Sequence, residues 1–374
     1  MGGNVLLAGT TKGLFILREA AAGWTVEGPH CGGWPINHAI GAGDRLWAAG
    51  GNGWTGAGVW RSGDGGATWA LAQFSNGEAD DWARREPALA AEFGMPPYAE
   101  APFTGAVDAI WSLAMWDGRL LAGTKPAQLY VSEDGGASWA RLPGLNDHPS
   151  AAGWEPGAAG LTLHTILSDP GDAAKLWVGI SAAGVFASED GGASWDRRVR
   201  RSNRADPPRS PFGNPEEIGY CVHNMGRGPG DVLYQQNHHG VFRSRDGGRS
   251  WDDITDGLPS SFGFPVGLHP QDPDTLWVLP LNGDTEGRFP PGAAAAVWRS
   301  RDAGETWQAM RAGLPQTACF FTVLRQAMAV DRASPAGVYF GTNSGSVFAS
   351  CDEGDSWSEI ARHLPTVLSV EVLG

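Results

Sequence analysis

The chain has 374 residues, 42% of them hydrophobic and 18% charged, which is enough apolar surface to bury a large core and excludes a disordered chain. Its 55 glycines follow no three-residue period, so it is not collagen-like, and its formal charge of -14 repels nucleic acid and anionic lipid. No nucleic-acid or membrane partner is therefore expected. No stretch approaches the ~20 apolar residues that span a bilayer, and the N-terminus lacks a basic region followed by an apolar run. Cys31, Cys221, Cys319 and Cys351 form no Cys-x-x-Cys pair, so the expectation is a cytoplasmic protein with reduced thiols.

In chain order, Val5-Leu6-Leu7-Ala8-Gly9 and Gly13-Leu14-Phe15-Ile16-Leu17 read as strands, with Trp24 on a third. An octapeptide, Ser-x-Asp-x-Gly-x-Thr/Ser-Trp, then recurs six times, at 62–69, 132–139, 188–195, 244–251, 300–307 and 350–357. Its serines are 70, 56, 56, 56 and 50 residues apart, and each copy follows a β-rich run such as Leu176-Trp177-Val178-Gly179. Each unit reads strand, strand, strand, octapeptide, strand, the mark of a propeller blade. The Asp carboxylate and Ser hydroxyl suit main-chain groups of a tight turn, Gly gives backbone freedom, and the Trp packs between units. The aspartates are thus structural. The N-terminal unit lacks its first strand, and residues 366–373 supply one. The predicted fold is all-β, a single seven-bladed propeller over 1–374 with four-stranded blades, closed by the C-terminal strand joining the N-terminal blade.

The octapeptides resemble the BNR or Asp-box repeats of sialidase-like proteins, sortilin-type receptors, xyloglucanases and photosystem II assembly factors. That resemblance covers essentially the whole chain and implies the propeller; its members include glycosidases, receptors and assembly factors. Unlike the sialidases of the group, this chain has no Arg-Ile-Pro, and none of Tyr98, Tyr130, Tyr220, Tyr234 and Tyr339 stands in a nucleophile's context.

Turns between first and second strands are short, and the octapeptide turns are nearly constant. Insertions fall at 74–103, 143–160 and 200–216 after fourth strands and at 50–58 and 281–296 between second and third strands, all on the opposite face, where a binding site is expected. Within the first insertion, residues 83–93 suggest a short lid helix. His38, His164 and Gln326 each lie 24 residues before a repeat serine, and His223 lies 21 before Ser244, which places all four on innermost strands near the axis. His38, His164, His223 and Gln326 are the expected metal set for a Zn, Mn, Fe, Cu or Ni ion, with a metal-free ligand site or hydrogen-bonded structural histidines as alternatives. His238 and His239 fall on the same face. The cluster Arg197, Arg198, Arg200, Arg201, Arg204 and Arg209 suits an anion, with Arg200, Arg201 and Arg204 as candidate substrate contacts beside His238 and His239.

The expected activity is metal-assisted hydrolysis or elimination of a small anionic or sugar-like ligand, with Glu216, Glu217 or Asp108 as general base. The alternatives are a glycosidase working through a carboxylate pair and a non-catalytic scaffold for a protein partner.

Overall fold

The computed structural model describes residues 3–202, 214 and 216–373. Seven four-stranded antiparallel sheets form the predicted ring of blades. The innermost strands, in order from blade 1, are Val367–Leu373, Ile36–Ala42, Ala109–Trp116, Leu163–Asp169, Val222–Arg227, Gly263–Leu268 and Met328–Val330. Blade 1 is completed as expected: Val367–Leu373 pairs antiparallel with Val5–Thr10, so the two chain ends share one sheet and its inner edge is not left unpaired.

Each octapeptide is a closed turn. The Ser62 hydroxyl donates to Asp64 Oδ1 at 2.7 Å while accepting the Gly66 amide at 3.0 Å, and the Thr68 amide and hydroxyl donate to the same carboxylate at 2.9 and 2.6 Å. Gly65 and Gly66, at φ of 70° and 97°, occupy the left-handed region that glycine enters without strain. With the Thr68 donors leading and Ser62 assisting, Asp64 is held down to about 2, and Asp134 and Asp190 are held there by equivalent donors. These carboxylates serve the turn, not a reaction.

The turns also join blades. Trp47 donates its indole N–H to Gly135 O in the next blade's octapeptide at 2.9 Å, and Trp177 does the same to Gly247 O at 2.9 Å. Trp251, fully buried, packs with Trp177, Val185 and Val199 of the preceding blade. The core is accordingly a ring of clusters between blades. The first long insertion carries two short helices, α1 (Glu78–Arg85) and α2 (Pro87–Glu92), where a single helix is expected at 83–93; Pro87 starts the second helix and divides the segment.

Candidate functional site

In blades 2 to 5 the entry of the inner strand on the loop-rich face carries a β-bulge, which re-aims one side chain sideways. The pairing slips at Asn37 in blade 2, Trp111 in blade 3, His164 in blade 4 and His223 in blade 5. Three of these reach the backbone of the next blade. Asn37 donates to Ile110 O at 2.9 Å, His164 Nε2 meets Val222 O at 2.8 Å and His223 Nδ1 meets Gly263 O at 2.6 Å.

This corrects the expected metal set. His38 is equivalent not to His164 but to its neighbour Thr165, and its Nδ1 accepts the Leu113 amide at 2.9 Å, so its proton sits on Nε2 and no lone pair is free for an ion. His164 has both ring nitrogens engaged, the second with Thr165 Oγ1 at 3.1 Å. Gln326 reaches across the axis, donating to Trp111 O at 3.0 Å and to His164 O. The rings of His38 and His164 serve separate blade junctions. Burial holds His38 down to about 4 and His164 to about 3, so both are neutral at physiological pH.

Around the axis, the Thr165 hydroxyl donates to Asn224 Oδ1 at 2.9 Å, and Asn224 Nδ2 donates to Arg325 O at 2.6 Å. A small channel cavity of about 200 Å³ is lined by His38, Ser112, Thr165, Asn224, Gln326 and Glu371. The Glu371 carboxyl makes no hydrogen bond or ion pair among the described residues, and burial pushes it up to about 7.

At the mouth a different group assembles. Among the described residues, the one set of three or more His, Cys, Asp or Glu side chains close enough to share an ion is Cys221, His223 and His238, with ligand atoms all within 4.8 Å of one another. Cys221 Sγ lies 3.7 Å from His223 Nε2. His238, on the turn between the second and third strands of blade 5, stacks edge-on to His223 with ring centroids 5.4 Å apart, and its Nε2 is 3.6 Å from Asp284 Oδ2. His239 is partly buried beside it. Arg325 lies over Phe264 at 4.9 Å; it has no ion pair or side-chain hydrogen bond among the described residues, and burial lowers its guanidinium to about 10.

The arginine loop is not a substrate grip as a whole. Arg201 is buried at 4% side-chain exposure near Asp253, at 3.9 Å, and its backbone is pinned against Glu216 and Trp251. Arg198 pairs with Glu189 at 3.0 Å. Arg200 is exposed and bridges to Glu217 through the backbone, while Arg204 and Arg209 lie outside the described residues.

A larger trough of about 540 Å³ on the same face lies between blades 2 and 3, lined by Asn37, Asn52, Asn76, Asp108, Trp111 and Lys125. The indole N–H of Trp111 is buried and has no hydrogen-bond partner among the described residues. Of the proposed general bases, Asp108 lines this trough.

No family model matches the chain. It is 25% identical over 220 residues to the oligoxyloglucan-reducing end-specific xyloglucanase of Emericella nidulans, a match covering 50% of this chain and 25% of that protein. It is 28% identical over 196 residues to the xyloglucanase of Hypocrea jecorina, covering 48% and 22%. The matches thus span about a quarter of those relatives' length. Among solved structures, the GH74 xyloglucanase of Xanthomonas campestris superimposes with a TM-score of 0.64 at 19% identity, over 97% of this chain and 53% of that one. YCF48 bound to D1 peptide superimposes with a TM-score of 0.50 at 14% identity, over 84% and 77%. Both share the propeller fold.

Proposed function

We propose that this propeller recognises a glycan on its loop-rich face and hydrolyses it, in the manner that the match to xyloglucanases suggests. What carries the reading is the trough between blades 2 and 3, whose chemistry suits a sugar. Trp111 lines it and has a buried indole N–H without a hydrogen-bond partner among the described residues, Lys125 and Asn52 add donors, and Asp108 adds a carboxylate. A polyhydroxylated ring offers acceptors for the donors and donors for the carboxylate. Asp108 is the one carboxylate among the residues lining the trough, and we assign it one half of the acid–base pair that glycoside hydrolysis uses.

The test is calorimetric binding and reducing-end release with oligosaccharides cut from xyloglucan, xylan and cellulose. Binding of at least one should weaken at least tenfold in Trp111→Ala, and Asp108→Asn should abolish release while keeping binding. Absence of both binding and release across the panel overturns the proposal.

A peptide-binding role is the second reading, favoured by a separate feature. Phe320, 64% exposed, lines a pocket between blades 6 and 7 in which Leu314, Phe321 and Phe348 alternate with polar Asn343, Ser344 and Glu359. Retention of an apolar peptide by this pocket, lost in Phe320→Ser, would support it.

A further inference from the structure

We infer that Cys221, His223 and His238 form a three-ligand site for a divalent transition ion of the zinc type, leaving a fourth position open at the channel mouth beside Arg325. Nothing in this depends on a glycan being the ligand.

Three independent features of the geometry point the same way. The first is spacing. Zinc bonds thiolate sulfur at ~2.3 Å and imidazole nitrogen at ~2.0 Å, so tetrahedral coordination sets sulfur and nitrogen about 3.5 Å apart. Cys221 Sγ and His223 Nε2 stand at 3.7 Å. His238 completes the set within 4.8 Å, and an adjustment of ~1 Å in a half-exposed turn residue brings it to bonding range.

The second is orientation. A backbone carbonyl only accepts, so the 2.6 Å contact to Gly263 O fixes the His223 proton on Nδ1 and leaves the Nε2 lone pair facing Cys221. That is the arrangement by which a carbonyl behind an imidazole holds the tautomer and the ring plane of a metal ligand. The ring is further wedged between Phe262 and Phe264, at centroid distances of 5.2 and 4.8 Å. His164 instead turns Nε2 to Val222 O and Nδ1 to Thr165 Oγ1, and it does not belong to the group.

The third is charge. A thiolate and two neutral imidazoles leave a divalent ion with one net positive charge. Arg325 adds another, and no carboxylate among the described residues pairs with it. Asp284 approaches His238 at 3.6 Å but is itself held by Arg288 at 2.6 Å. The open position therefore favours an anionic oxygen donor, such as a carboxylate or phosphate, which Arg325 would hold by its guanidinium fork. One thiolate and two imidazoles select zinc, cobalt or copper over magnesium and calcium.

The experiment uses the full chain. Purified protein is stripped with chelator, titrated with cobalt(II) alone and then with zinc(II), and its metal content is measured after gel filtration. One ion per chain is expected, with a thiolate-to-cobalt charge-transfer band in the near ultraviolet. Cys221→Ser should remove that band and weaken zinc binding at least tenfold; His238→Gln, a change on a partly exposed turn, should weaken it likewise, and Cys31→Ser should change neither. Less than one-tenth of an ion per chain, cobalt bound without the sulfur band, or wild-type affinity in His238→Gln each overturns the site. Should Cys221→Ser fail to fold, His238→Gln alone decides. Glycan binding in the trough is read separately in the same preparations, so failure of one reading leaves the other standing.

Discussion

Replacing Glu371 by Gln tests whether the channel wall stores a desolvation cost. The carboxyl lines a cavity of about 200 Å³ with no partner among the described residues, and burial lifts it from its ordinary 4.5 to about 7. At 1.36 kcal/mol per pH unit, keeping it ionised in the fold costs about 3 kcal/mol, an upper figure because Glu371 is only partly buried and solvent screens it. The sign follows from proton uptake. Between pH 4.5 and 7 the folded chain holds the Glu371 proton more tightly than the unfolded chain does, so this group's contribution falls as pH rises and stays at its minimum above 7. Glu371→Gln mimics the neutral acid. It should match the wild type near pH 4.5 and exceed it by up to ~3 kcal/mol at pH 8, measured by urea unfolding at both values. The difference between the two proteins isolates Glu371 from His38 on the same cavity, whose lowered value gives a slope of opposite sign. An equal difference at pH 4.5 and 8, or a variant less stable at pH 8, refutes the reasoning.

Two further substitutions separate structure from chemistry. Trp251→Ala empties a fully buried site between blades 4 and 5 and should cost about 3–5 kcal/mol in denaturant unfolding, without altering cobalt stoichiometry in the protein that remains folded. His164→Ala leaves Val222 O without its 2.8 Å partner and should cost about 1–3 kcal/mol at pH 7. Because burial holds the folded His164 down to about 3, the unfolded chain takes up the proton first, and wild-type stability falls as pH drops below 6.5; unfolding midpoints of the variant at pH 7 and 5 should differ less than those of the wild type.

The blades were legible because the octapeptide is a local device: six copies of one turn need no knowledge of distant contacts. The histidine register failed for a physical reason that the same counting conceals. In blade 4, His164 lies 12 residues before Leu176, which lies 12 before Ser188; in blade 2, His38 lies 8 before Leu46, which lies 16 before Ser62. A longer outer hairpin at 50–58 offsets a shorter inner turn, and the equal totals hide a slip of one residue. In a strand a single-residue slip exchanges faces, so the true counterpart of His164 is Asn37. Cys221 had one readable signal, its position two before His223 on an extended segment, which puts both on one side. Arg325 and Asp284 had none, since blades 7 and 6 deliver them to a mouth built on blade 5, and no spacing encodes that meeting. The Arg201 reading failed because arginine count alone does not distinguish a guanidinium facing solvent from one enclosed beside Asp253.

Gln326 belongs to blade 7 yet bonds the backbones of blades 3 and 4, on the far side of the ring. A ring whose members touch only their neighbours deforms most easily by ovalising, one diameter lengthening as another shortens. The Gln326 amide is a spoke across that diameter, and Asn224 adds a second chord from blade 5 to Arg325 O. Since Arg325 precedes Gln326 directly, any ligand that draws the guanidinium outward pulls on the same backbone that anchors the spoke. Occupancy at the mouth would then be felt as tension at the opposite rim, without any hinge between blades.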